Sequence, residues 1–263
     1  MGAVLDSSNE MVPEEEQVHL VVLTEDYYVS VYETTQKQGL DVTGVNSSTT
    51  RGDTNPMTNV SLGELRGTWY TDTGAYGYCW PQDGHAVAPN SAIGRLRELT
   101  GLDDFDLPTE AQWEYACRAG ERFMFANGKN GTVWDPRAIC ICSGDPKGYT
   151  VPQPVGSVAP NDWGIYDMQG NVQELCLDRY ATGEVREATF ATGWKGGVAT
   201  VDPVGAREWM GEDHALQYII RRGGHVGLTW SKCTASYNHE SGNWWWNGSG
   251  FIGFRLVRPA VAK

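Results

Sequence analysis

The chain has 263 residues, 40% of them hydrophobic and 11% aromatic, which is enough to close a core in one large domain or two small ones. Its 33 acidic against 20 basic residues leave a formal net charge of −13, which repels phosphate backbones and anionic lipid head groups and excludes nucleic acid and membrane surface as favoured partners. No apolar run approaches the ~20 residues of a membrane-spanning helix, and Met1 to Glu16 is polar and acidic where a secretion signal would be basic and then apolar.

In chain order, residues 1–16 carry charge and few apolar groups and are expected to be disordered, with a single domain over 17–263. Val18 to Val22 and Tyr27 to Tyr32 read as strands split by the turn-like Glu25-Asp26. Residues 41–58 and 67–90 are rich in Gly, Asn, Asp, Thr and Pro and read as long loops. A first helix is predicted from about Ser91 to Thr100, with Ile93, Leu96 and Leu99 as its apolar stripe and Gly101 as its stop. A second starts on Thr109 with Gln112 three residues on, buries Trp113, Ala116 and Cys117, and stops at Gly120. Beyond Gly120, short aromatic and β-branched runs alternate with turn residues up to Pro259, so regular structure is expected to be sparse. With no repeat or linker in view, the reading is one loop-rich α+β domain with two main helices and short antiparallel strands. The six cysteines show neither disulfide density nor zinc spacing; Cys140 and Cys142 are expected on opposite faces of a strand, unbonded to each other.

Four segments carry a resemblance: Tyr28-Val-Ser-Val-Tyr-Glu-Thr-Thr-Gln36, Leu107-Pro-Thr-Glu-Ala-Gln-Trp-Glu-Tyr-Ala-Cys-Arg-Ala-Gly120, Trp163-Gly-Ile-Tyr-Asp-Met-Gln-Gly-Asn-Val-Gln-Glu174 and Gly253-Phe-Arg-Leu-Val-Arg258. In order and spacing the set resembles the formylglycine-generating-enzyme, or sulfatase-modifying-factor, family over roughly Pro13 to Pro259. The resemblance implies a C-type-lectin-like fold of that family's subtype. It also implies a cysteine oxidase, whose two cysteines would follow Arg222-Gly223-Gly224. Here Cys233 occupies the second cysteine position, Leu228 stands at the first, and His225 replaces the serine after the glycines. A single thiol beside an aliphatic side chain neither binds Cu(I) well nor exchanges disulfides, so no catalysis is expected.

The C-terminal region is similar to another branch of the family, the variable proteins of diversity-generating retroelements. In them the segment between Arg-Gly-Gly and Ile-Gly-Phe-Arg is rewritten to create binding surfaces. Residues 225–251 lie between Arg222-Gly223-Gly224 and Ile252-Gly253-Phe254-Arg255 and mix aromatics with Ser, Gly, Asn and His, a paratope-like composition. The implied ligand-binding set is His225, Thr229, Trp230, Ser231, Lys232, Tyr237, His239, Trp244, Trp245, Trp246, Asn247, Ser249 and Phe251. Adenine-directed variation of asparagine codons cannot produce Trp, Lys or Glu. Trp230, Lys232, Glu240 and Trp244 to Trp246 are therefore expected to be fixed or otherwise encoded.

The resemblance further implies a structural Ca²⁺ ion held by Asn171, Glu174 and the backbone of Val172, in the segment Gly170-Asn-Val-Gln-Glu174. The expected function is a diversified ligand-binding protein for an unknown protein or glycan. The alternatives are a formylglycine-type oxidase using Cys233 or a non-variable carbohydrate- or protein-binding module. Its expected location is the cell surface or exterior if a signal was removed, and otherwise the cytoplasm or a phage particle.

Overall fold

The computed structural model describes residues 20–67, 87–121, 125, 140–143, 147–180, 200–203, 218–229, 232–235, 237, 239–241 and 249–260. The terminus expected to be disordered lies outside them.

Four helices occur among these residues: α1 Gln36–Thr43, α2 Leu62–Arg66, α3 Ala92–Thr100 and α4 Glu110–Arg118. Each starts where a hydroxyl side chain accepts a hydrogen bond from the backbone N–H three residues on. In α1, α2 and α4 the side chain at that third position returns the bond, as in Thr35 with Gln38, Ser61 with Glu64 and Thr109 with Gln112. Helices α3 and α4 lie where the sequence predicts them. α1 runs into the stretch read as a loop because its buried residues are Gln36 and Gly39, which leave no apolar stripe to read. Gly39 leaves room there for Met57, whose sulfur would lie 2.0 Å from a Cβ.

Two details of the helices depart from expectation. Leu99 is 67% exposed, because six residues at ~100° each carry it about 120° away from the buried Ile93. α4 ends on Ala119, in the left-handed region at φ 49°, one residue before Gly120.

The strands are β1 Val21–Val22, β2 Tyr27–Val29, β3 Gln173–Tyr180, β4 Thr200–Val201, β5 Tyr218–Arg222, β6 His239–Ser241, β7 Ile252–Gly253 and β8 Val257–Pro259. β2 pairs antiparallel with β8, and a four-stranded sheet runs β6-β5-β3-β7. Two pairings, β1 with β4 and β3 with β7, are parallel, which the expectation of antiparallel strands missed. β2 stops at Val29, short of the predicted Tyr32.

β3 is the wall between two cores, with both of its faces covered over Gln173 to Asp178. Leu175 and Leu177 pack with Met57, Leu65, Ile93, Leu107 and Phe254. Cys176 packs on the other side with Trp113, Ala116, Cys117, Ile165 and Met168. The stripe predicted for α4 is thus the centre of the second core.

Candidate functional site

The segment 225–251 leaves the scaffold at a buried arginine and returns at another. At its start, Arg222 ends β5 and donates to Glu110 at 2.7 Å and Glu114 at 2.8 Å, two carboxylates one turn apart on α4. It also donates to the Ala235 carbonyl at 3.1 Å. Burial alone would raise Glu114, but Arg222 and then Arg118 outweigh it and hold the carboxyl below its ordinary range. Gly223 and Gly224 follow at φ 86° and 68°. A Cβ on Gly224 would lie 2.5 Å from the Cys233 sulfur, so only glycine lets the chain turn there.

At the far end, Ile252 and Gly253 run parallel to β3 and Phe254 enters the first core. Arg255 is fully buried and grips Glu174 with two bonds of 2.6 Å, while the Trp113 indole N–H donates to the same carboxylate at 2.7 Å. The remaining Arg255 donors reach the Ser30 and Tyr166 carbonyls at 3.0 Å each. A planar guanidinium satisfied this completely fixes one orientation of the strand that carries it.

Between the anchors, Thr229 and Lys232 are exposed, and His225, Tyr237, Ser249 and Phe251 are half-buried. The His225 ring stacks on Phe251 at 4.6 Å between centroids and 13° between planes, joining the two ends of the segment. Burial, with the nearby Arg221 cation, pushes His225 down to about 4, leaving a neutral imidazole whose Nδ1 accepts from the Gly227 N–H at 3.0 Å. Ser249 serves its own turn: its carbonyl accepts from Asn59 and Ile252 and its Oγ from the Phe251 N–H. His239 lies in β6, paired with Arg221. Trp230, Ser231, Trp244, Trp245, Trp246 and Asn247 lie outside the described residues. Val226, Cys233, Thr234 and Ala235 are buried and form a floor beneath the segment that its composition did not single out.

Cys233 is not the isolated thiol expected. Cys140, Cys142 and Cys233 form one buried cluster, with Leu228 packed partly against it. The expectation that Cys140 and Cys142 face opposite ways was wrong, because period-two alternation puts i and i+2 on the same face. Ile141 points the other way, into a cluster with Val158 and Val226. The bridges Ile141 to Gly170 and Ser143 to Thr229 hold this short segment against the frame.

The side chains expected to hold calcium have protein partners in this structure. Both Glu174 oxygens are taken by Arg255 and one also by Trp113. The Asn171 side-chain carbonyl accepts from the Gln153 N–H at 2.9 Å, and its amide donates to Glu33 at 2.7 Å. Val172 gives its N–H to Glu33 at 3.2 Å. Of the three expected ligands, Glu174 is the one that Arg255 holds. Sequence reasoning also missed Glu33 and Asp167, which complete this buried acidic group. Burial, followed by Asp167 and Glu174, pushes Glu33 well up, and burial pushes Asp167 up to about 6. Glu33 stood inside the first quoted segment, where its place between Tyr32 and Thr34 gave no sign of burial.

These contacts join the four quoted segments into one unit: Ser30 and Glu33 from the first, Glu110, Trp113 and Glu114 from the second, Tyr166, Asp167, Asn171 and Glu174 from the third, and Arg255 from the fourth. The architecture is a C-type-lectin-like α+β fold of the formylglycine-generating-enzyme subtype. The chain belongs to the sulfatase-modifying factor enzyme 1-like domain family, whose pattern matches residues 6–260. Among its relatives, the chaperone protein LppX of Paenibacillus barcinonensis is 29% identical over 216 residues, 69% of this chain and 74% of that one. The formylglycine-generating enzyme of Thermomonospora curvata is 38% identical over 81 residues, 27% of this chain and 26% of the enzyme. The chain thus matches only about a quarter of that enzyme's length. Among solved structures, Treponema denticola variable protein 1 superposes with a TM-score of 0.66 at 20% identity, covering 99% of this chain and 94% of that protein. PvdO from Pseudomonas aeruginosa gives 0.67 at 21%, covering 99% and 90%. These two likenesses establish the fold. Among the described residues no helix is long and apolar enough to cross a membrane.

Proposed function

We propose that this protein binds a ligand through residues 225–251, displayed as a changeable surface on a fixed C-type-lectin-like scaffold, without oxidising cysteine. The observation that carries the reading is the contrast at the segment's boundaries. Both ends are pinned by buried arginines in ion pairs, while Thr229 and Lys232 between them face solvent. Such a frame lets side chains change without moving the backbone that presents them. The resemblance of the Arg222-Gly-Gly and Ile252-Gly-Phe-Arg boundaries to those of retroelement variable proteins, together with the fold shared with the Treponema variable protein, supports diversification of this segment. Leu228 at the first catalytic cysteine position argues against formylglycine chemistry, because an aliphatic side chain supplies no second thiolate of that pair. The ligand is a protein or a glycan, and the composition of the face suits either.

Two measurements test the reading. The gene's locus should hold a near-copy of the DNA encoding 225–251 beside a reverse transcriptase gene, and its absence there removes the case for diversification. Incubation with a Cys-x-Pro-x-Arg peptide, oxygen and Cu(I), followed by mass spectrometry, should yield no aldehyde. Turnover would restore the oxidase reading.

A further inference from the structure

The three-thiol cluster is separate from the ion pairs of Arg222 and Arg255. Cys140 and Cys142 come from the short extended segment at 140–143, and Cys233 comes from the floor of segment 225–251, about ninety residues on in sequence. Three sulfur atoms from two separate stretches share one buried site, and Ser143 and Thr229, which bridge the two stretches, are exposed. We propose that this cluster is a thiol redox site in which a hydroperoxide converts Cys142 and Cys233 into a disulfide, with Cys140 as the third thiol.

The pairing follows from the backbone. Cys140 and Cys142 are two residues apart on an extended segment, so their Cα atoms are separated by about 6.6 Å, at the upper edge of the roughly 4.4–6.8 Å that a disulfide spans. Cys233 comes from a different stretch, which the bridge between Ser143 and Thr229 joins to the residue after Cys142. The Ser143 N–H donates to the Leu228 carbonyl at 2.7 Å, and the Cys233 thiol lies 3.6 Å from the Thr229 carbonyl. The stretch that carries Cys142 and the stretch that leads to Cys233 are therefore tied together at Ser143, Leu228 and Thr229 before any covalent bond forms.

The order of events follows from the thiols' surroundings. Cys140 and Cys233 share this cluster with Cys142, and these neighbours, Cys140 first and Cys233 second, hold the Cys142 thiol below the ordinary range against the effect of burial. Cys117, enclosed beside Trp113, is pushed up to about 12 by burial and stays an unreactive thiol. In the first step the Cys142 thiolate attacks the hydroperoxide. An S–O bond forms as the O–O bond breaks, the sulfur loses two electrons to become a sulfenic acid, and the reduced oxygen leaves as hydroxide or alkoxide and takes up a proton. In the second step the Cys233 sulfur attacks Cys142, an S–S bond forms, the S–O bond breaks, and the departing hydroxide accepts the Cys233 proton as water. The product would fasten the segment at 140–143 to the floor beneath the candidate binding face.

The test uses the full chain, reduced, treated with hydrogen peroxide, blocked with an alkylating agent under denaturing conditions and mapped by mass spectrometry. The expected result is a Cys142–Cys233 cross-linked peptide and the loss of two alkylatable thiols, while Cys117 and Cys176 remain fully alkylated. Cys140→Ser should retain the cross-link, and Cys142→Ser should abolish it. Mapping of the unsubstituted chain decides the matter even if a variant does not fold. The proposal is overturned if Cys142 and Cys233 remain alkylated as completely as Cys117 and Cys176, or if the bond joins Cys140 to Cys142. A covalent dimer as the main product would overturn it as well.

Discussion

Arg222 and Arg255 stand at the two ends of a segment whose interior is held quite differently. Each arginine is buried and meets carboxylates at 2.6–2.8 Å, from Glu110 and Glu114 at one end and Glu174 at the other. Thr229 and Lys232, a few residues inside, face solvent, and the described part of the segment rests on small buried side chains, Thr234 and Ala235 among them. Buried ion pairs are poor sources of net stability, because desolvation consumes most of their attraction, but they penalise any arrangement that separates them. Position is what these anchors supply. The proposed function asks that change be confined to the exposed residues between them.

The largest effect should come from breaking one anchor. Arg255→Met leaves the Glu174 carboxylate buried with the Trp113 N–H as its remaining partner from that network, and the expected loss is about 3–5 kcal/mol. Denaturant midpoints measure it. Replacing Glu174 as well, in Arg255→Met/Glu174→Met, should recover a large part of the loss, since an apolar pair of similar volume is often no less stable. A single variant within about 1 kcal/mol of the unsubstituted chain would mean that the buried pair does not anchor the frame.

A smaller effect concerns the acids around Arg255. Asp167 is raised by burial to about 6, against an unfolded carboxyl near 4, so the folded state favours its protonated form. Its contribution to stability is fully present below the unfolded value and is lost as the pH rises through about 6. A shift of that size corresponds to at most roughly 3 kcal/mol. Asp167→Asn should therefore remove a downward slope in stability between about pH 4 and 6, seen by comparing its denaturation curves with those of the unsubstituted chain. Parallel curves for the two proteins across that range would place Asp167 outside the buried acidic group.

Much of the frame was legible because its residues sit in compact motifs. Trp113, Glu114, Glu174 and Arg255 all fall inside the quoted segments, and the hydroxyl at Thr109 with Gln112 marked the start of α4. Their pairings were not legible, since Arg255 and Glu174 are 81 residues apart and Arg222 and Glu114 are 108 apart. The same gap hid the partners of the expected calcium ligands: Asn171 and Glu174 look like oxygen ligands in sequence, and only the fold shows Glu33 and Gln153 on the one and Arg255 on the other. α1 escaped notice because it buries a glutamine and a glycine. The thiol cluster was hidden by a miscounted alternation at Cys140 and Cys142 and by the distance in sequence to Cys233.

The smallest expected effect tests the other side of the comparison. Thr229 and Lys232 are exposed within the segment, so replacing both with alanine removes side-chain atoms that the core does not need. Each change should stay within about 0.5 kcal/mol. Ala235 lies in the same segment but is fully buried in the cluster with Trp113 and Met168, so Ala235→Leu must push against packed neighbours and should cost about 1–3 kcal/mol. The pair of measurements separates an exposed rim from a buried floor within ten residues of chain. If the double alanine variant loses as much stability as Ala235→Leu, the rim is structural too, and the segment cannot vary freely on this scaffold.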